Sequence, residues 1–314
     1  MKPRSIRIIL PGILIALSTL SWKATGQSMS DSLRTLRQRR TAIWALEGSF
    51  TAGTFVFLNQ AWYTQYDRVG FHLFDDWGEW MQMDKAGHAL STYAGSRVAA
   101  DCWRWAGLDR RKAAWTASLS SMGYLTMVEM LDGFSEKWGF SPGDMIFNTA
   151  GTALFLSQEL SWGEQRIAMK LSYRPVAYDA TLRERTESLF GRSPAERFLK
   201  DYNGQTIWLS ANIRSFLPSA RVPAWLNIAV GHGARTMLGG RENVWEDDNG
   251  ITTDRSDVLR YRRFFLSLDI DLSRIPVKNR FLRSALSVVN IVKIPAPALE
   301  IDGRGRIRGH LLHF

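Results

Sequence analysis

Three short stretches carry the residue types from which a polar site is built. "DKAGH" brings Asp84, Lys85 and His88 within five positions, "EMLD" sets Glu129 three residues before Asp132, and "DMIFN" sets Asp144 four before Asn148. On a helix, spacings of three and four put both members of a pair on one face. Histidine beside carboxylates suits proton transfer, because its reference pKa of about 6.5 moves readily across neutrality. The same imidazole with two or three carboxylates and an amide can hold an oxygen-preferring divalent metal. Lys85 near a helix N-terminus suits an anionic group such as phosphate. Against all three stands a plainer use: acids buried near a base can pair and lock helix register.

These alternatives divide the residues by role. If the chain is an enzyme, His88 is the general acid or base, with Glu129 and Asp132 as its partners or as metal ligands. If it binds a ligand, Asp84, Lys85, Asp144 and Asn148 line the site. The donor set selects no particular metal or cofactor. Other histidines carry less. His232, in "VGHGA", is expected in a packing or turn role, and His72, His310 and His313 at surfaces or interfaces. The acidic "GGRENVWEDDNG" lacks the ordered spacing of a calcium loop and reads as a solvated loop.

The three stretches must meet, so the elements that carry them matter. A first long helix includes the nearly uncharged run from Trp44 to Trp62, long enough at about 27 Å to cross a bilayer or to form a central core rod. A second helix is expected from about Asp84 to Trp105. A third is capped by Asp109. The fourth opens with Ser141 as N-cap, Pro142 at the first position and Asp144 three residues on. Packed up and down with short loops, these helices turn the start of the second, the end of the third and the start of the fourth to one side. Small residues continue the same faces inward: Ser91, Thr92 and Gly95, then Gly151 and Thr152. Such seams allow close helix approach.

Beyond residue 172 the pattern changes. Residues 173–203 are charged, broken by Gly and Pro, and read as a linker or surface helix. "QTIWLSANI", "WLNIAVGHGA" and "RRFFLSLDIDLS" alternate with period two, the mark of half-buried antiparallel strands. A short amphipathic helix is expected from about Arg280 to Val292. The expected fold class is therefore α+β: a membrane-associated four-helix bundle over 41–172, then a small antiparallel β portion over 204–314 with one apolar face. The visible strands are too few to close a membrane barrel, for which eight is the usual minimum. They are expected to pack on helices or to complete a wall with partner chains.

Composition bounds the setting. The chain has 314 residues, 45% hydrophobic and 22% charged, so it can bury a sizeable core. Its mean hydropathy of −0.17 argues against a polytopic transporter. The formal charge of +10 points to polyanions. No zinc spacing, RNA-binding motif or helix-turn-helix signal accompanies it, so an anionic membrane surface is the expected partner, envelope proteins a further one, and nucleic acid is not expected. "MKPRSIR" followed by "IILPGILIALSTL" reads as a signal peptide over 1–26, with Ala24 and Gly26 as a small-x-small cleavage site. Cys102 is the sole cysteine, so no internal disulfide is expected, and no lipid attachment at the cleavage site.

The ordered set D-K-x-x-H, E-x-x-D and S-x-x-D-x-x-x-N-x-x-G, here Asp84, Lys85, His88, Glu129, Asp132, Ser141, Asp144, Asn148 and Gly151, resembles the YfiM-like family of bacterial envelope proteins. That family consists of predicted periplasmic lipoproteins of unknown function. The strand segments look like its longer Bacteroidetes form, and the helical skeleton is loosely similar to VanZ-like membrane proteins. The resemblance implies export and a place on the periplasmic side of, or within, the outer membrane of a Gram-negative cell. It implies no reaction. The expected role is structural, or the binding of a lipid or other ligand; the alternative is a hydrolase, metal-dependent or not, acting on a lipid or cell-wall precursor.

Overall fold

The computed structural model describes residues 29–61, 66–247 and 250–314. The expected signal peptide lies outside these residues, as does Trp62. Helix α1 (Met29–Ala61) is followed by an extended connector, then α2 (Met83–Trp105), α3 (Arg110–Asp132) and α4 (Pro142–Ser161). The starts of α3 and α4 follow from their caps. Asp109 accepts from the Lys112 amide, and Ser141 accepts from the Asp144 amide with Pro142 at the first helical position. Each satisfies a backbone N–H that the helix itself leaves free.

α2, α3 and α4 pack on one another with their backbones close. A Cβ on Gly151 would stand 2.0 Å from the Ala89 carbonyl oxygen, and one on Gly95 2.9 Å from Ser121 Oγ. The small-residue seam is thus the contact between α2 and each neighbour. The expected four-helix bundle is replaced by this three-helix layer with α1 along its outside. Ile43 is buried and Trp44 stacks edge-on against Trp103, but most of α1 between Ser32 and Gln60 is exposed. Its run of small and aromatic residues supplies no stripe wide enough to bury it as a fourth member.

The second layer is a six-stranded antiparallel sheet. In chain order its strands are β1 (Ile167–Tyr173), β2 (Gln205–Asn212), β3 (Leu226–Arg235), β6 (Tyr261–Ile270), β7 (Ala296–Asp302) and β8 (Ile307–His313), and they neighbour one another in that order. Strands β4 (Val244–Glu246) and β5 (Thr252–Asp254) form a separate hairpin inside the expected long loop. Short helices α5 (Arg183–Phe190) and α6 (Pro194–Lys200) occupy the 173–203 segment. The four-residue α7 (Ile213–Phe216) follows β2, and the amphipathic α8 (Arg280–Val289) precedes β7.

The sheet is curled. Lys170 on β1 reaches Asp269 on β6 at 2.7 Å, although three strand spacings of about 4.8 Å separate them. After α8 the chain laces onto the outer edge of β1, with Leu171 N–H donating to Ile291 O and Lys293 N–H to Leu171 O. Three residues later it begins β7, on the other side of β6. Three residues span about 10 Å at most, so β1 and β7 are brought near each other by the roll. The concave face is buried and rich in polar groups, Lys170, Ser210, Asn227, Arg263, Asp269 and Glu300, set around a small apolar cluster of Trp208, Ala229 and Phe265. His310 and His313, expected at the surface, belong here too. His310 pairs with Glu300 at 2.6 Å and His313 stacks on Phe265. The convex face is apolar. Over β1 and the near ends of β2 and β3 it is covered by α2 and α4, where Met169, Ile207 and Ala234 join one core with Ala89, Tyr93 and Phe155. Over the rest it is bare: Leu209, Ile228, Val230, Phe264, Leu266 and Leu299 are all exposed.

Candidate functional site

The N-terminal ends of α2 and α4 and the C-terminal end of α3 meet, as the spacing requires. His88 Nε2 lies 3.6 Å from Glu129 Oε1, and its Nδ1 lies 3.1 Å from Asn148 Oδ1. An amide oxygen can only accept, so Nδ1 carries the proton toward Asn148 and the Nε2 lone pair of the neutral ring is left on the side of the Glu129 carboxylate. One ligating atom from each of Asp84, His88 and Asp144 lies within 4.8 Å of the others. Glu129 is fixed from behind, its Oε2 accepting the Ser141 backbone N–H at 3.2 Å. Asp132 stands near the end of α3, and its charge acts on Glu129.

Lys85 does not turn outward to an anion. Its ammonium is buried, 2.6 Å from Asp76 and 3.4 Å from Asp144. Both the ammonium and the N-terminal turn of α4 are thus engaged by protein carboxylates. Two members of the cluster come from places that helical spacing does not reach. Asp76 enters from the connector before α2, bonding Lys85 and the Ser141 hydroxyl. Tyr202, from the turn ahead of β2, donates its hydroxyl to Asp84. A paired "DD" and an aromatic in "KDYNG" are the only traces of them in the sequence.

The connector is aimed by an uncommon turn. Trp80, Met81 and Gln82 are three successive residues in the left-handed region, with φ of 45°, 51° and 60°. Each costs on the order of 1–2 kcal/mol for a residue with a Cβ. The turn is held from outside: Trp80 N–H donates to Gly240 O at 2.7 Å, Arg262 donates to Met81 O at 2.7 Å and also to the Gln82 side chain. Trp80 packs edge-on against Tyr202.

Charge is unbalanced in this pocket. Burial, then the neighbouring Asp132 charge, push Glu129 up to about 7, with His88 pulling the other way. Burial and the Asp84 and Asp76 carboxyls push Asp144 up to about 8, against His88 and Lys85. Burial also works on Asp76, but hydrogen bonds from Asp144, Lys85 and Ser141 outweigh it and hold that carboxyl low. Burial would lower His88; the carboxylates of Asp84, Asp144 and Glu129 win and hold it above its ordinary value. The pocket therefore gathers more acids than its one lysine and one histidine neutralise, and it answers by retaining protons.

Fold and site together define a mixed helix and sheet protein with a buried histidine–carboxylate cluster where three helix ends meet. Residues 73–158 match a family described as "Predicted periplasmic lipoprotein (DUF2279)", whose function is unknown. The match takes in Asp76 and all three helix ends and stops before the sheet. That description, together with the apolar α1, is consistent with export. No curated protein and no solved structure matches the chain.

Proposed function

We propose that this is an exported envelope protein that works at a membrane surface and binds a divalent cation in the His88 pocket. The supporting observation is the convergence of Asp84, His88 and Asp144 ligand atoms, with the His88 ring oriented between Asn148 at Nδ1 and Glu129 at Nε2. One imidazole among oxygen donors suits an ion such as Mn²⁺, and a cation would replace the protons that Glu129 and Asp144 otherwise keep.

The test uses the full-length protein in detergent, stripped with EDTA and titrated with Mn²⁺. About one ion should bind per chain and raise the melting temperature. Affinity should be higher at pH 8 than at pH 6, because the ligands must lose protons to bind. His88→Gln and Asp144→Asn should each weaken binding about tenfold or more, the scale seen when a metal site loses a supporting group. Equal binding by wild type and both variants sinks the proposal. Hydrolysis is the second reading, favoured by His88 Nε2 standing 3.6 Å from Glu129 Oε1, a pair placed to pass a proton. It adds the requirement of metal-dependent turnover.

A further inference from the structure

Most sheets that pack on helices bury their apolar face and show water their polar one. Across β2, β3, β6 and β7 the arrangement is reversed. The register places Leu209, Val230, Leu266 and Leu299 opposite one another in a continuous row, and all four are exposed. On the other side of the same strands, Asp269, Arg263 and Glu300 are buried, with Lys170 on Asp269 and Arg263 clamped bidentately by Glu300.

An apolar exterior around a polar interior is how a strand wall is built when hydrocarbon is the solvent. Apolar rows run from Phe264 to Ile270 on β6, about 20 Å along the strand at 3.4 Å per residue. At the ~40° tilt of membrane strands that is about 15 Å of depth, half of the roughly 30 Å hydrocarbon core. One rim of the band is basic, with exposed Arg214 and Arg221 in the β2–β3 connection, the charge complement of anionic headgroups. At the other rim, Arg304 and Arg306 of the β7–β8 turn stand beside the acidic β3–β6 loop, with Glu242, Glu246, Asp254 and Asp257 exposed. Against the usual objection to a sheet in lipid, an unpaired edge, the segment after α8 bonds the outer side of β1 at Leu171, and β8 forms the other edge of the sheet.

We infer that the convex face of β2–β3–β6–β7 is a lipid-contacting wall, seated among the acyl chains of a phospholipid bilayer. The inference rests on the membrane reading above but not on the cation pocket, and it is sharper than that reading, because α1 alone would suffice to hold the chain at a membrane.

The two are separated by a depth measurement on the full-length chain. In a Cys102→Ser background, Leu266→Cys and Leu299→Cys are labelled with an environment-sensitive fluorophore. Asp257→Cys, on an exposed loop, serves as control. Each protein is reconstituted into phosphatidylethanolamine–phosphatidylglycerol vesicles containing lipids spin-labelled on the acyl chain. Labels at 266 and 299 should emit in the blue and be quenched severalfold more than the label at 257. Co-flotation with vesicles but no acyl-chain quenching at 266 or 299 overturns the wall and leaves attachment through α1 intact. Blue emission without quenching overturns it in favour of a protein partner on that face. Failure of the wild-type chain to float removes the membrane reading and the wall together. Because these substitutions lie on an exposed face, a second pair at Val230→Cys and Ile228→Cys gives the same comparison should either first variant fold poorly.

Discussion

At Glu129 two demands meet on one carboxyl group. Oε2 holds the first turn of α4 through the Ser141 amide, while Oε1 faces His88. The proton that burial keeps on this group, and on Asp144, gives the metal-free protein a pH dependence of known sign. Both groups have folded-state values, about 7 and about 8, above the usual values near 4 in an unfolded chain. Stability from such groups is full below about pH 4 and is lost as pH rises through their folded values. His88, also raised, acts in the same direction. Asp76 is lowered and acts oppositely, its contribution lost only as strong acid protonates it. With EDTA present, the melting temperature should therefore fall between pH 6 and pH 8.5. Glu129→Gln keeps an acceptor for the Ser141 amide and removes one titration, so its slope over that window should be visibly flatter. A wild-type protein equally stable across the window would show that these acids are not held as described.

The helix seams make a prediction that separates two glycines of similar context. Gly151 leaves no room for a methyl group against the Ala89 carbonyl, whereas Gly123 in α3 has nothing within 4 Å of its missing Cβ. Gly151→Ala should destabilise by roughly 1–3 kcal/mol through forced backbone separation. Gly123→Ala should be neutral or stabilising by about 0.5–1 kcal/mol. Thermal or denaturant unfolding of the pair measures the difference. Helix ends of this kind were legible in the sequence because capping is local: Asp109, Ser141 and Pro142 announce themselves within a single turn. The convergence of Asp84, His88, Glu129, Asp144 and Asn148 was legible for the same reason, added to the rule that short loops make antiparallel neighbours. Asp76 and Tyr202 were not, since an irregular connector and a turn 118 positions from Asp84 bring them in, with no periodicity to follow. Strand β1 hid differently. Ala168, Met169 and Lys170 are all buried, on both faces, which erases the alternation that exposes β3 and β6. Alternation reports that a strand has two unlike faces; it does not say which solvent each one meets.

For the molecule as a whole, the decisive quantity is how much apolar surface is left uncovered once the three-helix layer has taken its share. If lipid covers it, a charge placed at its centre should be costly there and harmless in water. Leu266→Arg should lower vesicle partitioning by an amount corresponding to about 2–4 kcal/mol, while reducing aggregation in detergent-free buffer. Flotation assays and sedimentation of the same variant read the two effects separately. The left-handed turn before α2 links this surface to the pocket. Arg262 lies near the start of the β6 strand that carries Phe264 and Leu266, and the same guanidinium grips the backbone at Met81, two residues before the helix bearing His88 begins. If the convex face does seat in lipid, it and the pocket share a common datum: however deep the sheet settled, His88 would ride at one altitude, and any cation bound there would be presented at that level.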